Sequence, residues 1–242
     1  MQSSDPPAYA NRILAALPPS ELALFRPHLT RTRVVINQTL YEPGERLDQV
    51  FFFDSGFASV VALADNVGTT VEVGLIGWDG MVGMGLALNP ASIAFNRTMV
   101  QMSGFVHRMP AAVLTGRLDQ APVLRSLLLD ALEVMYAQAS QTAACNSRHT
   151  LAQRCARWLL LAHDRVDGDE LYLTQEFLSV MLAVRRAGVT MAVQALHAAG
   201  LVQPGRGCIA VQDRAGLEAA SCNCYARVCN FSKAVHAGRS SM

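Results

Sequence analysis

Residues 171–213 read LYLTQEFLSVMLAVRRAGVTMAVQALHAAGLVQPGRGCIAVQD, and their order decides the fold of the C-terminal part of the chain. Thr174 is a suitable N-cap for a first helix, residues 183–185 break that helix, and helical spacing then returns until Gly200. Two short β-rich runs follow, joined by a glycine-rich turn that carries Arg206. The order of helix, turn, helix and hairpin predicts a winged helix-turn-helix, which is a DNA-reading unit.

The second of these helices has an apolar face and a polar face. Four apolar residues recur every three or four positions and are expected to pack on the first helix: Val189, Ala192, Val193 and Leu196. The opposite face should meet DNA, because recognition helices point outward side chains at base edges and phosphates. The candidate DNA-binding residues are Arg185, Arg186, Thr190 and Gln194, with Arg206 at the tip of the hairpin. In the alternative interpretation, the two adjacent arginines are only solvated charges.

Charge is unevenly divided along the 242 residues, although the net charge is only +1. From residue 146 to the end there are 11 basic and 7 acidic side chains, and before it 9 basic and 12 acidic. A nucleic-acid partner is therefore expected to bind the C-terminal part. The chain has no run of the roughly 18 apolar residues that a membrane span needs, and its first 15 residues lack the order of a secretory signal. We expect a cytoplasmic protein with no membrane partner.

The six cysteines are expected to be reduced in that compartment. Cys145, Cys155 and Cys208 lie in apolar helical or strand patterns, which are typical of small buried hydrophobic residues. Cys222 and Cys224 form a group of three with Cys229, but their spacing does not match the paired motifs of zinc sites. We therefore expect no metal and no other cofactor. In the alternative interpretation, the three thiols have a metal or redox role.

The N-terminal half contains two short helix patterns and then seven short β-rich runs, separated by turn formers that include residues 65–68. These runs cover residues 32–36, 39–41, 49–54, 58–63, 70–75, 98–102 and 105–109. Short strands at such regular spacing predict a β-sandwich or barrel.

A long helix pattern starts at Pro122. Its apolar residues alternate steps of four and three, and the seam consists of Leu124, Leu128, Ala131, Met135 and Gln138, continued by Thr142 and Cys145. This heptad spacing predicts a coiled coil with a second copy of the chain. In the alternative interpretation, the seam packs only on the β-rich domain of its own chain.

This order of elements resembles the Crp–Fnr family of bacterial transcription regulators. Residues 40–60, LYEPGERLDQVFFFDSGFASV, are similar to the strand-PGE-strand-SG signature of that family, and Arg186 stands at its first recognition arginine. Ala187 and Met191 depart from the common residues of the recognition helix, so the operator sequence cannot be carried over. The resemblance implies an α+β fold: a cyclic-nucleotide-binding-like β-roll over residues 1–118, a dimerisation helix over 119–146 and a winged helix-turn-helix over 147–242.

The resemblance also indicates where an effector would bind. In family members that bind a cyclic nucleotide, a glycine-glutamate pair and an arginine with a serine or threonine hold it. Here Arg97 and Thr98 match the second pair, whereas Gly83 and Met84 stand at the positions of the first. In the alternative interpretation, Arg97 is an ordinary solvated or ion-paired arginine. Met84 lacks the carboxylate that would take the ribose hydroxyl. An unpaired hydroxyl would cost roughly 1–3 kcal/mol, so cyclic AMP is not the expected effector.

Other cofactors of the family are not expected. The iron-sulfur branch needs cysteines near the β-domain, and no cysteine precedes Cys145. His28 or His107 could hold haem, but a lone histidine in a β-pattern is more often structural.

The implied function is that of a homodimeric, sequence-specific DNA-binding transcription regulator. Its partners would be a pseudo-palindromic operator, RNA polymerase and a small-molecule effector of unknown identity. An alternative is an effector-sensing interaction module that does not depend on DNA. An enzyme is not expected, because the sequence has no G-x-S-x-G elbow, P-loop or H-E-x-x-H motif.

Overall fold

The computed structural model describes residues 9–63 and 70–237, so the turn predicted at residues 65–68 lies outside the described residues. The chain divides into two compact units. The first comprises Met1–Ala58 and Ile76–Leu132, and the second comprises Ser59–Leu75 and Glu133–Met242. The division is discontinuous because the second unit includes a short stretch from the β-rich half of the sequence.

The β-rich half has the predicted character and begins with two short helices. The helices are α1 (Arg12–Ala15) and α2 (Pro19–Phe25), and the strands are β1 (Thr30–Val34), β2 (Thr39–Tyr41), β3 (Gln49–Phe53), β4 (Phe57–Leu63), β5 (Thr70–Ile76), β6 (Arg97–Met102) and β7 (Gly104–Pro110). Within the first unit, β1, β7 and β3 form an antiparallel sheet in that order, and β2 pairs with β6. The helix α3 (Ala111–Arg117) follows the last strand.

Asn11 joins the N-terminal helices to this sheet. Its side-chain oxygen caps α1 by accepting a hydrogen bond from the backbone N of Ile13 at 3.1 Å. Its Nδ2 donates to the carbonyl oxygens of Phe53 and Gly80, at 3.1 and 2.9 Å. The side chain is fully buried, so these bonds satisfy a polar group that would otherwise destabilise the core.

The turn between β3 and β4 requires glycine. Gly56 has φ +71°, a left-handed conformation that L-residues rarely adopt, and a Cβ at this position would lie 2.4 Å from the carbonyl oxygen of Met102. The Ser-Gly pair of the sequence signature is thus explained by backbone geometry and by the close approach of a neighbouring strand.

The long helix α4 spans Pro122–Arg148, and three of the five residues of its predicted seam are buried. The five residues of that seam are Leu124, Leu128, Ala131, Met135 and Gln138. The two leucines and Gln138 are buried within the single chain. Gln138 accepts a hydrogen bond from the backbone N of Leu75, and Met135 packs against Gly74. The use of this face as a dimer seam stays a prediction, although three of its five side chains already pack on their own chain.

The second unit contains the C-terminal part of α4 and the predicted winged helix-turn-helix. Its elements are α5 (Leu151–His163), β8 (Glu170–Leu171), α6 (Gln175–Met181), α7 (Arg186–Ala198), β9 (Val202–Gly205), β10 (Cys208–Val211), α8 (Arg214–Ala220) and α9 (Cys224–Ala237). The three strands form an antiparallel sheet in the order β8, β10, β9. The sequence analysis did not foresee β8, α8 or α9.

A buried polar network joins β5 to α5 in this unit. The indole Nε1 of Trp158 donates to Oε1 of Glu72 at 2.7 Å, and the hydroxyl of Ser59 donates to the other carboxylate oxygen. Burial raises the pKa of Glu72 to about 7, although both hydrogen bonds and the charges of Arg157 and Arg165 act to lower it. Glu72 is thus a titrating group inside the core.

None of the helices in the part of the chain that the structure describes has the length and apolar character to span a bilayer.

Candidate functional site

The turn between α6 and α7 sets the direction of the second helix. Thr174 caps α6, because its hydroxyl oxygen accepts a hydrogen bond from the backbone N of Phe177 at 3.1 Å. After α6 ends, Ala183 takes a left-handed conformation with φ +51°. Arg185 is extended and forms the N-cap of α7 without a side-chain capping bond. The chain thus reverses over a few residues, as the sequence break predicts.

The buried face of α7 fixes its rotation about its own axis. All four residues of the predicted apolar face are buried: Val189, Ala192, Val193 and Leu196. Trp158 on α5 and Phe177 on α6 meet edge to face, with ring centroids 6.1 Å apart, and contribute to the core beneath α7. Because one face is buried, the residues on the other face must point outward.

Arg185, Arg186 and Gln194 lie on that outer face and are exposed. The side chain of Arg186 is 69% exposed, and its Nε lies 3.9 Å from a carboxylate oxygen of Glu176, which is equally exposed. An exposed ion pair at this separation contributes little to stability. The guanidinium can therefore leave Glu176 for a phosphate or a base edge without a large cost.

Thr190 is placed differently from its neighbours on this face. It is half-buried, and its hydroxyl donates to Oε1 of Gln175 at 2.7 Å. This bond ties α7 to the first residue of α6, so the hydroxyl serves the geometry of the two helices and only the methyl group is left for a base. Gln175 was not among the predicted site residues, because its partner lies 15 positions away.

A second positioning residue, Arg154 on α5, was also missed. Its guanidinium donates from Nη2 to the carbonyl oxygen of Leu182, in the turn between α6 and α7, and from Nε to Asn146 at 3.0 Å. Burial lowers the pKa of this arginine, which still holds the turn as a hydrogen-bond donor. No local sequence signal marks such a contact across 28 positions.

The wing presents one more exposed arginine. Strands β9 and β10 pair from Val202 opposite Val211 to Gly205 opposite Cys208, and Arg206 lies in the exposed turn between them. Gly207 has φ +74°, which allows this tight turn. The third strand, β8, pairs with β10 and makes the hairpin part of a small sheet.

The four residues of the predicted effector pocket lie in the first unit. Gly83 has φ +98° and precedes a short 3-10 helix that starts at Met84, whose side chain is buried. Thr98 is also buried. Nε of Arg97 donates to a carboxylate oxygen of Glu42 at 2.8 Å. A ligand anion would therefore have to compete with this carboxylate for the arginine.

A pocket of about 330 Å³ opens elsewhere in the same unit. Its polar lining includes Arg46, Asp48, Ser92 and Thr115. None of the four predicted effector residues lines it. The resemblance to cyclic-nucleotide sites thus did not indicate this pocket.

Comparison with known proteins bears on both units. The profile of the Crp-like helix-turn-helix domain matches residues 153–220, which include α6, α7, β9 and β10. No curated protein matches the chain in sequence.

Three solved structures are similar over most of the chain. FixK2 from Bradyrhizobium japonicum is 16% identical with a TM-score of 0.65, covering 80% of this chain and 98% of that one. A transcriptional regulator of the CRP/FNR family from Thermus thermophilus is 18% identical with a TM-score of 0.63, covering 79% and 98%. The c-di-GMP-responsive global regulator CLP from Xanthomonas campestris is 16% identical with a TM-score of 0.61, covering 79% and 98%.

At these sequence identities, the similarity to solved structures shows only the fold. The profile match, in contrast, identifies residues 153–220 as a Crp-like helix-turn-helix domain. The chain carries a Crp-like helix-turn-helix domain within the fold of the Crp/Fnr transcriptional regulators.

Proposed function

We propose that this protein is a sequence-specific DNA-binding transcription regulator that acts as a homodimer. The observation that carries the proposal is the outer face of α7, where Arg185, Arg186 and Gln194 are exposed above a fully buried inner face. This arrangement lies inside the segment that matches the Crp-like helix-turn-helix domain. Arg206 at the tip of the wing is exposed as well. A second exposed arginine beside α7 favours DNA binding over the alternative that these arginines are only solvated charges.

Each exposed side chain has a suitable target on DNA. Arg186 can donate two hydrogen bonds to O6 and N7 of a guanine in the major groove, and Gln194 can pair with an adenine. Arg185 at the start of α7 and Arg206 on the wing are placed to meet phosphates. The methyl group of Thr190 can contact a thymine methyl while its hydroxyl stays on Gln175.

The dimer would form through a different face of α4 from the one that the heptad spacing first predicted. The residues one position further along repeat the same steps of three and four: Leu129, Leu132, Tyr136, Ala139 and Ala143. Leu129 is 39% exposed and Tyr136 is 75% exposed. An apolar stripe of this kind on a long helix suits a coiled coil with a second copy.

A twofold dimer would present two recognition helices to two half-sites. Half-sites about one DNA turn apart and related by a pseudo-twofold axis would then be the operator. RNA polymerase as a partner stays a prediction from the resemblance, and the cytoplasm as the location stays a prediction from the sequence pattern.

The effector would not be cyclic AMP. Met84 supplies no carboxylate for a ribose hydroxyl, and Arg97 is already paired with Glu42. Isothermal titration calorimetry with cyclic AMP should therefore show no binding at micromolar concentrations. Micromolar binding that Arg97→Ala abolishes would contradict this part of the proposal.

Selection of bound sequences from random DNA by the purified protein tests the proposal as a whole. Enrichment of a pseudo-palindrome with half-sites one turn apart is expected. Its affinity should also fall steeply with salt, because Lys and Arg contacts to phosphate release counterions. Absence of any enriched sequence, together with weak and salt-insensitive binding, would instead favour an interaction module that does not depend on DNA.

A further inference from the structure

Three cysteines and a histidine meet in the second unit, away from the outer face of α7. The possible ligand atoms of Cys145, His149, Cys222 and Cys224 all lie within 4.8 Å of one another. The sulfurs of Cys145 and Cys222 are 3.4 Å apart, and the sulfur of Cys224 is 3.5 Å from Nδ1 of His149. Four donors thus converge on one small volume.

Helix geometry explains how these residues come together. Cys145 and His149 are four positions apart near the end of α4, so they lie on one face of the helix. Cys224 is the first residue of α9, and Cys222 precedes it by two positions. The three cysteines are buried, whereas His149 is half-buried. The histidine therefore lies on the side of the cluster from which an ion could enter.

The distances fit a tetrahedral ion. With zinc at about 2.3 Å from sulfur and about 2.0–2.1 Å from nitrogen, a tetrahedron has sulfur–sulfur edges of about 3.8 Å and sulfur–nitrogen edges of about 3.6 Å. The observed 3.4 and 3.5 Å are close to these values, and the longest separation of 4.8 Å exceeds them by about 1 Å. Small side-chain rotations would close that difference.

We propose that Cys145, His149, Cys222 and Cys224 bind one Zn²⁺ ion in a closed, four-ligand structural site. Three thiolates and one imidazole form a donor set that structural zinc sites commonly use, and soft sulfur ligands disfavour magnesium and calcium. The site belongs to no part of the DNA-reading face. Its role is to fasten α9 to the end of α4, across 77 positions of sequence.

Two neighbouring side chains would support metal-bound thiolates. Nε2 of Gln141 donates to the sulfur of Cys224 at 3.0 Å, the kind of outer hydrogen bond that orients a metal ligand. The guanidinium of Arg157 is buried and interacts electrostatically with Cys145. Three thiolates with Zn²⁺ would carry one net negative charge, which this guanidinium is placed to balance.

A disulfide explains fewer of these observations. A bond between Cys145 and Cys222 would use two of the four donors and would leave the approach of Cys224 to His149 without a role. A metal ion uses all four.

The first experiment measures the metal content of the purified full-length protein after incubation with zinc and removal of excess ion. Elemental mass spectrometry should find one zinc per chain. Replacement by Co²⁺ should give the intense visible absorption and the sulfur-to-metal charge-transfer bands of a tetrahedral cobalt-thiolate site. Failure to retain zinc or cobalt, with a Cys145–Cys222 disulfide in a protein purified under air, would overturn the proposal in favour of a redox pair.

Matched variants separate ligation from folding. Cys145→Ala and Cys155→Ala each remove a fully buried helical thiol, but only the first removes a ligand. We expect at least a tenfold loss of zinc affinity for Cys145→Ala and for His149→Ala, and none for Cys155→Ala. His149→Cys should restore the affinity and change the cobalt spectrum to that of four sulfur ligands. Equal zinc affinity in Cys145→Ala, His149→Ala and Cys155→Ala would show that these residues do not bind the ion.

Discussion

The outer face of α7 and the cysteine cluster lie in the same unit, yet they depend on the sequence in opposite ways. The candidate DNA contacts at α7 fall between Arg185 and Gln194, and their direction follows from buried neighbours on the same helix. The cluster combines two residues of α4 with two residues that lie 73 to 79 positions later in the sequence. Local periodicity is therefore sufficient to predict the first region, whereas the second depends on tertiary packing.

Removal of the bound metal ion should have the largest effect, and this effect is on the stability of the second unit. Structural zinc in zinc-finger peptides contributes on the order of 10 kcal/mol of folding free energy, and a part of that is expected here because this unit also has its own core. A strong chelator should lower the thermal unfolding midpoint of the wild type by at least 10 °C, on the basis of a few kcal/mol. Differential scanning calorimetry with and without the chelator measures this.

Two variants serve as controls for the chelator experiment. Cys155→Ala should respond to the chelator as the wild type does, whereas His149→Ala should hardly respond. A chelator effect of the same size in both variants would mean that the cluster is not the site that stabilises the unit.

The long helix shows why part of the fold could not be predicted. Its apolar residues fit two phases, one through Leu124, Leu128 and Gln138 and the other through Leu129 and Tyr136. Both have heptad spacing, and only tertiary packing, which includes the hydrogen bond of Gln138 with Leu75, decides which of them turns inward. In α7, by contrast, the periodic apolar residues define a single buried face, because the opposite face carries polar residues.

A charge on the exposed phase of α4 should break the proposed dimer. Tyr136→Asp would place two like charges together in an apolar seam, and we expect the dimer dissociation constant to rise by about 100-fold, or about 3 kcal/mol. Sedimentation equilibrium at micromolar protein measures the change. Leu88→Asp is the control, because Leu88 is equally exposed but lies outside α4. A Tyr136→Asp protein that dimerises as tightly as the wild type would place the interface elsewhere.

Glu72 should make the stability of the protein depend on pH. Its pKa is about 7 in the folded chain and about 4.5 when unfolded. Between these values the folded state keeps a proton that the unfolded state loses, so the free energy of unfolding falls as pH rises from about 4.5 to about 7. The loss is on the order of 3 kcal/mol, and no further change from this group occurs above that window.

Glu72→Gln should remove this pH dependence, because it keeps an acceptor for Trp158 without a titrating group. Urea unfolding at pH 5.5 and pH 7.5 compares the two proteins. The wild type should be less stable at the higher pH, and the variant should lose most of that difference. An unchanged slope in the variant would assign the pH dependence to other groups. Like the cluster, this contact joins residues far apart in sequence, 86 positions in this case.

Some side-chain contacts of the helix-turn-helix domain could not be predicted from the sequence. Arg186 and Gln194 could be assigned to the outer face because helix phase alone determines exposure. The contacts of Gln175 with Thr190 and of Arg154 with Leu182 could not, because each joins two different segments. The sequence patterns thus indicated which side chains of α7 point outward, but not which contacts hold α7 in place.

The measurement that tests the central claim most directly is DNA binding by Arg186→Ala, compared with Arg206→Ala, on the selected operator and on single-base variants at several salt concentrations. Arg186→Ala should cost roughly 1–3 kcal/mol and relax the preference at one base pair of each half-site. Arg206→Ala should weaken binding to all sequences alike and reduce the salt slope by about one per subunit. If Arg186→Ala left both affinity and base preference unchanged, the assignment of α7 as the reading helix would be contradicted.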